Sequence, residues 1–145
     1  MPAAFRRGLP DGQLVVTLLD QCLAAFPPAE WVRLEAQLRA LPAFSKPVKA
    51  LTRLLASRAA DCELDVQGRI LLPMALRAAA GLQKDVLVVG VLSRIEVWAP
   101  SAWDAFLHDS ERLLDDVSLE VQWPLSPVLP APAGEAERPQ GKPSR

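Results

Sequence analysis

The chain contains few of the residues from which metal and redox sites are built. Among its 145 residues are two cysteines, Cys22 and Cys62, and one histidine, His108. This set is too small for a structural zinc site, and His108 has no companion histidine. Each cysteine lies inside an apolar run, which predicts a small buried side chain rather than a reactive thiol. The sequence thus predicts no metal and no cofactor.

Two further absences exclude whole classes of protein. The seven glycines form no phosphate-binding loop, and no His, Cys and Ser set or acidic pair stands in a recognisable catalytic context. An enzyme is therefore not expected. No apolar run reaches the length of a transmembrane helix, and the first residues lack an apolar signal region. The sequence thus predicts a cytoplasmic protein without membrane contact.

The net charge is only −1, so no overall basic charge indicates a nucleic-acid partner. Residues 1–60 carry eight Lys and Arg against four Asp and Glu, whereas residues 61–145 carry eight against thirteen. This asymmetry permits a basic surface, although most imbalances of this size reflect only solvated surface. The same applies to a basic helical set formed by Lys46, Lys49, Arg53 and Arg58.

Prolines accumulate near the end of the chain, where six of the 14 follow Trp123. Proline has no N–H and therefore interrupts the hydrogen bonding of helices and sheets. Residues 118–145 are accordingly predicted to be a disordered tail. Half of all residues are apolar, which is enough to form a core in the rest of the chain.

The strongest internal signal is a repeat, in which residues 2–31 align with residues 73–103 after one single-residue gap. The matches include proline, arginine and tryptophan, which shared hydrophobicity alone does not produce. The most informative matched pairs are Pro2 with Pro73, Arg6 with Arg77, Phe26 with Trp98, and Trp31 with Trp103.

Each copy predicts the same order of elements. In the second copy, Pro73 opens a short helix that Gly81 ends, because glycine adopts the left-handed conformation without strain. A β-rich run over 86–92 and an alternating run over 95–98 then predict two strands joined by a turn at 93–94.

A helix follows the strands in both copies. Ser101 is the predicted N-cap of the second one, and Trp103 opens its apolar stripe. The first copy carries Trp31 in the equivalent helix, and an extra helix follows Pro47. We expect both tryptophans in the core of the chain, although their helices are also candidates for an interface between copies.

A predicted hairpin with a tight turn precedes the second copy, over residues 62–72. Asp65 can accept hydrogen bonds from the backbone of its own turn, and Gly68 can supply a positive φ. The first copy has no counterpart, since Met1 stands directly before Pro2. We expect an upstream start codon, because losing that strand would leave its partner with unpaired backbone groups.

The stretch from Asp65 to Pro73, with Gly68 and Arg69 in D-x-x-G-R spacing, resembles the motif of the MraZ family. The resemblance covers residues 2–117. It implies an α+β fold in which two swapped-hairpin, AbrB-like halves form a small barrel-like β core with flanking helices, about a pseudo-twofold axis. The implied divisions are 1–46 for the first half, 47–60 for a connecting helix and 61–117 for the second half, before the tail.

MraZ proteins are transcriptional regulators of the bacterial division and cell-wall gene cluster. They bind repeated boxes upstream of their own operon and assemble into rings. The resemblance therefore implies a sequence-specific DNA-binding regulator, expected to be a repressor, on the nucleoid. The implied partners are double-stranded DNA and further copies of the same chain.

The resemblance also implies which residues contact DNA. The arginine of the family motif faces DNA, so Arg69 is the first candidate, with Asp65 and Gly68 shaping its turn. Arg77 and Arg6 stand at equivalent positions after the prolines and are expected on the same surface. The alternative for Arg69 is an exposed arginine paired only with Asp65, and for the other two an ion pair on a short helix.

Two other functions are compatible with the sequence. Because the first motif is absent, the chain could be an oligomeric structural or interaction subunit that no longer reads DNA. It could also be an antitoxin of the AbrB-like fold family that binds a toxin through its tail. The duplication argues against the antitoxin, since such halves generally occur once per chain.

Overall fold

The computed structural model describes residues 1, 3–9 and 11–120. The strands are β1 (Gln13–Leu19), β2 (Cys22–Phe26), β3 (Ala60–Glu63), β4 (Leu87–Val91) and β5 (Arg94–Trp98). The helices are α1 (Ala3–Arg6), α2 (Pro28–Ala40), α3 (Lys46–Ser57), α4 (Met74–Ala79) and α5 (Pro100–Glu120). The α+β class predicted from the sequence is confirmed. Most of the predicted tail, like Pro2 of the repeat, lies outside the described residues.

The five strands form one open antiparallel sheet in the order β3-β1-β2-β5-β4. The expected barrel-like core is therefore wrong, because β3 and β4 lie at opposite edges of the sheet in the described part of the chain. The second strand predicted after Arg69 is also missing. Only Ile70 pairs back, through a single bridge to Leu64. The chain then reaches Pro73, which cannot donate to a ladder and starts α4 instead.

The two copies of the repeat build two hairpins in the same register. Val15 pairs with Phe26 in the first hairpin, and Leu87 pairs with Trp98 in the second, a shift of 72 residues for both partners. The central strands β2 and β5 are antiparallel, with Ala24 opposite Glu96. These two residues are themselves equivalent under the same shift, so a local twofold axis passes between them.

The hairpin turns carry the same backbone strain. Asp20 and Leu92 occupy equivalent positions and have φ values of 52° and 50°, a region that few residues other than glycine adopt. The second turn lies one residue earlier than predicted, because Arg94 already pairs with Val91.

Prolines mark the start of the helices. α2 begins at Pro28, α5 begins at Pro100, and Pro73 is the N-cap of α4. A proline in the first turn loses no hydrogen bond. Ser101 is therefore not the N-cap of α5, since the N–H of Trp103 already donates to the carbonyl of Ala99.

Both faces of the sheet are covered. Alternate residues of β1, β2 and β5 point to one face and pack with residues of the α1 and α4 regions. Helices α2 and α3 cover the other face, where the hydroxyl of the fully buried Thr17 donates to the carbonyl of Leu55 at 2.8 Å. No helix in the described part of the chain combines the length and apolar character that crossing a bilayer requires.

The two cysteines are free and buried, as predicted. Burial raises the pKa of the Cys22 thiol to about 12, with a further contribution from the charge of Glu96. Burial also raises the pKa of Cys62. Both groups are therefore protonated near neutral pH and serve as packing side chains.

Candidate nucleic-acid interface

A tight turn over Asp65–Arg69 follows β3 and projects from the edge of the sheet. The N–H of Gly68 donates to the carbonyl of Asp65, and the N–H of Asp65 donates to the carbonyl of Arg69, both at 2.8 Å. Gly68 has a φ of 75°, which glycine adopts at no steric cost. The D-x-x-G-R spacing therefore encodes the shape of this turn locally.

The carboxylate of Asp65 organises the turn. Its Oδ1 accepts hydrogen bonds from the N–H groups of Gln67 and Arg69, each at 2.9 Å, and its Oδ2 accepts one from Arg69 Nε at 2.7 Å. The backbone and side-chain hydrogen bonds from Arg69 lower the pKa of Asp65. The carboxylate is therefore ionised near neutral pH and balances the charge of Arg69.

Arg69 is held at its base, and its side chain is largely exposed. The bond to Asp65 uses Nε, while the side chain as a whole is 73% exposed. The two Nη groups can therefore donate to a planar acceptor such as a guanine edge or a phosphate. Because the ion pair fixes one edge of the guanidinium, fewer rotamers are lost when the other edge binds.

The turn rests on the first half of the chain. A Cβ at Gly68 would lie 2.6 Å from Cδ of Arg6, so the Arg6 side chain crosses directly over this glycine. The N–H of Leu64 donates to the carbonyl of Gly12, directly before β1, at 2.8 Å. The motif of the second copy is thus seated on α1 and β1 of the first.

Four of the five predicted site residues are brought together by this packing: Asp65, Gly68, Arg69 and Arg6. Arg77 lies exposed on α4, and none of the contacts of the described residues joins it to the turn. It is the repeat equivalent of Arg6, so it occupies the matching place in the second half.

Two exposed residues of the turn were missed from the sequence. Val66 is fully exposed at the tip, and the side chain of Gln67 is exposed beside it. The motif leaves both positions free, so no pattern could single them out. Their exposure at the tip of the turn, which only the folded chain reveals, makes them part of the candidate surface.

Comparisons with known proteins identify the family to which this arrangement belongs. A family model described as "MraZ protein, putative antitoxin-like" matches residues 55–118. The Transcriptional regulator MraZ of Natranaerobius thermophilus is 40% identical over 121 residues, which cover 83% of this chain and 85% of the relative. The chain belongs to the MraZ family.

Two other MraZ relatives agree with this assignment. The Transcriptional regulators MraZ of Acetivibrio thermocellus and Ligilactobacillus salivarius are each 42% identical over 118 residues, covering 81% of this chain and 82% of the relative. As an MraZ-family member the protein is a transcriptional regulator and not an enzyme. The segment that the family model matches contains the whole Asp65–Arg69 turn.

Proposed function

We propose that this regulator binds double-stranded DNA sequence-specifically and acts as a repressor at repeated boxes upstream of its own operon. It does so in the cytoplasm, on the nucleoid, as a ring of identical subunits. Arg69 is the main base-reading residue, and Arg6 supplies a second contact beside it. Arg77 contributes from the matching position of the second half.

The observation that carries this proposal is the state of Arg69, which is paired through Nε and 73% exposed. A guanidinium held in this way can donate two parallel hydrogen bonds to O6 and N7 of guanine in the major groove. Asp65 does not oppose the approach of DNA, because both its oxygens already accept hydrogen bonds from the turn. Its negative charge is balanced by Arg69 at 2.7 Å.

Arg6 strengthens the same surface. The Arg6 side chain lies over Gly68, the residue that precedes Arg69 in the turn. Two arginine side chains therefore belong to the surface around this turn. Arginines that flank a base-reading residue commonly contact phosphates, which positions the protein without adding sequence preference. A single turn offers few contacts, and a ring would multiply them across repeated boxes.

The test is the affinity of Arg69→Ala for the DNA upstream of its own operon, measured by fluorescence anisotropy. We expect a loss of about tenfold to a hundredfold per box, since a bidentate base contact contributes about 1–3 kcal/mol. The affinity of Arg69→Lys should fall between those of the wild type and Arg69→Ala, because lysine keeps the charge but cannot bind bidentately.

Arg33→Ala is the matched control. Arg33 is 74% exposed and paired with Glu30 at 2.6 Å, so it resembles Arg69 in exposure and ion pairing but lies on α2. Its loss should leave affinity unchanged. Equal affinities of Arg69→Ala, Arg33→Ala and the wild type would rule out the proposed role of the turn.

A further inference from the structure

The longer helices leave much of their apolar surface uncovered. α2 buries none of its 13 residues, and α3 buries only Leu55. Large apolar side chains stay exposed by between 41% and 61% on or beside α2, on α3 and in the first three turns of α5: Val32, Leu41, Leu51, Leu54, Phe106 and Leu107. Other exposed apolar residues, such as Val66 and Leu92, stand singly in turns, whereas those on adjacent helices form a patch of the kind that marks an interaction surface.

A groove runs between α2 and α3. Its volume is about 500 Å³, and its walls are mostly apolar, formed by Trp31, Leu38, Leu41, Val48 and Leu55. The cations Arg39, Lys49 and Arg53 line it together with one acid, Glu35. Glu35 already accepts a hydrogen bond from Trp31 Nε1 and lies 4.0 Å from Arg39. The groove therefore combines an apolar floor with a net positive rim.

The first turns of α5 have the complementary composition. Trp103, Phe106 and Leu107 are three and four residues apart and so share one face. The rings of Trp103 and Phe106 lie 5.4 Å apart, and both also pack against Trp98 of the same chain, with centroids 5.4 and 5.3 Å away. Phe106 nevertheless stays 44% exposed. Asp104 and Asp109 are exposed on the same stretch, which contains no Lys or Arg between residues 100 and 110. This face is an apolar ridge with acidic neighbours.

We propose that the α5 ridge of one copy lies in the α2–α3 groove of the next copy, and this inference rests on the ring assembly proposed above. The repeat supports it, because α5 is the counterpart of α2, yet no counterpart of α3 packs beside α5 in the described residues. A neighbouring subunit would supply the missing α3. Contacts between two different patches repeat from copy to copy and close into a ring when the rotation allows it.

Charge distinguishes this contact from the two contacts that would join identical surfaces, groove to groove or ridge to ridge. The groove is lined by Arg39, Lys49 and Arg53 against the single acid Glu35, whereas α5 carries Asp104 and Asp109 over its first turns. A groove-to-groove contact would bring cations together, and a ridge-to-ridge contact would bring carboxylates together. Only the groove-to-ridge contact pairs opposite charges, and like charges across an interface are strongly unfavourable.

The experiment reverses the charge of the groove and of the ridge in separate variants. Assembly is measured without DNA, by light scattering after size exclusion. The groove variant carries Lys49→Glu and Arg53→Glu, and the ridge variant carries Asp104→Lys and Asp109→Lys. Each alone should dissociate, with the dissociation constant between copies raised about tenfold or more. Mixed one to one, they should reassemble, because every contact again joins opposite charges. A chain with all four changes should also assemble.

Lys46→Glu with Lys84→Glu is the matched control, since it reverses two exposed cations that do not line the groove. It should assemble like the wild type, and unchanged circular dichroism should show that each variant is folded. The inference is overturned if either reversed variant assembles normally, or if the mixture and the fourfold variant stay dissociated. A monomeric wild type would also overturn it. Binding of a single box through Arg69 is measured separately, so a failure of this inference is distinguished from a failure of the proposed DNA binding.

Discussion

At the scale of single residues, the backbone conformation at position 68 favours glycine, and a side chain there would also displace the end of Arg6. The φ of Gly68 is 75°, and a Cβ there would lie 2.6 Å from Cδ of Arg6. Gly81 has a similar φ of 63°, but a Cβ there would meet nothing within 4 Å. The two glycines therefore separate backbone strain from steric contact.

We expect Gly81→Ala to lower the free energy of unfolding by about 1–2 kcal/mol, the usual strain of a left-handed alanine. Gly68→Ala should lower it by a similar amount, because the flexible end of the Arg6 side chain can move aside at little cost, but it should also weaken DNA binding, since Arg6 is displaced from the turn. Thermal unfolding measures the first effect, and the DNA affinities of the two variants measure the second. A DNA affinity of Gly68→Ala equal to that of Gly81→Ala would show that the place of Arg6 over the turn does not contribute to binding.

The roles of Asp65 and Gly68 within the turn could be predicted from the sequence because they depend on neighbours within four residues. The place of Arg6 could be predicted only in part. The repeat indicates that it matches Arg77, but its contact with Gly68 joins residues far apart in the chain. Val66 and Gln67 could not be found at all, since exposure is a property of the folded turn.

At the scale of elements, one buried hydroxyl joins the sheet to α3. Thr17 on β1 is fully buried and donates to the carbonyl of Leu55. Thr17→Val keeps the shape but removes the donor, leaving that carbonyl without its partner. We expect a loss of about 1–3 kcal/mol, the usual penalty for a buried group left unsatisfied.

Chemical denaturation measures this change, with Thr52→Val on α3 as the control. Thr52 is only partly buried, so water can replace any hydrogen bond that its hydroxyl makes, and the variant should differ little from the wild type. If both threonines could be replaced without loss, Thr17 would not hold α3 on the sheet.

The strands and helices followed from local patterns, and the errors arose where two signals competed. Ser101 has the chemistry of an N-cap, but Pro100 starts α5 one residue earlier. The aliphatic run after Arg69 has the composition of a strand, but Pro73 ends it after a single bridge. Closure of the sheet depends on which edges meet, and no local pattern encodes that.

At the scale of the whole molecule, the proposed ring makes DNA affinity depend on the number of boxes. Several subunits held together can bind several boxes, so probes with repeated boxes should bind about a hundredfold or more tightly than a probe with one. The groove variant, Lys49→Glu with Arg53→Glu, should bind one box normally but lose this gain.

Titrations of probes with one, two and four boxes measure the effect, at one fixed salt concentration because phosphate contacts depend on salt. A gain that persists in the dissociated variant would mean that assembly does not produce it. The duplication, and with it the twofold relation of the hairpins, could be predicted from the sequence. The pairing of α5 with the groove could not, since it needs the exposed faces.

The pairing of Ala24 with Glu96 at the centre of the sheet bears on how a duplicated chain can diverge. Glu96 is buried and accepts hydrogen bonds from Arg94 and from Trp98 Nε1. If two identical second halves associated as separate molecules, two such carboxylates would face each other across the axis, a costly arrangement in the interior. Fusion removes that constraint, because one half can keep the acid while the other places a methyl group opposite it.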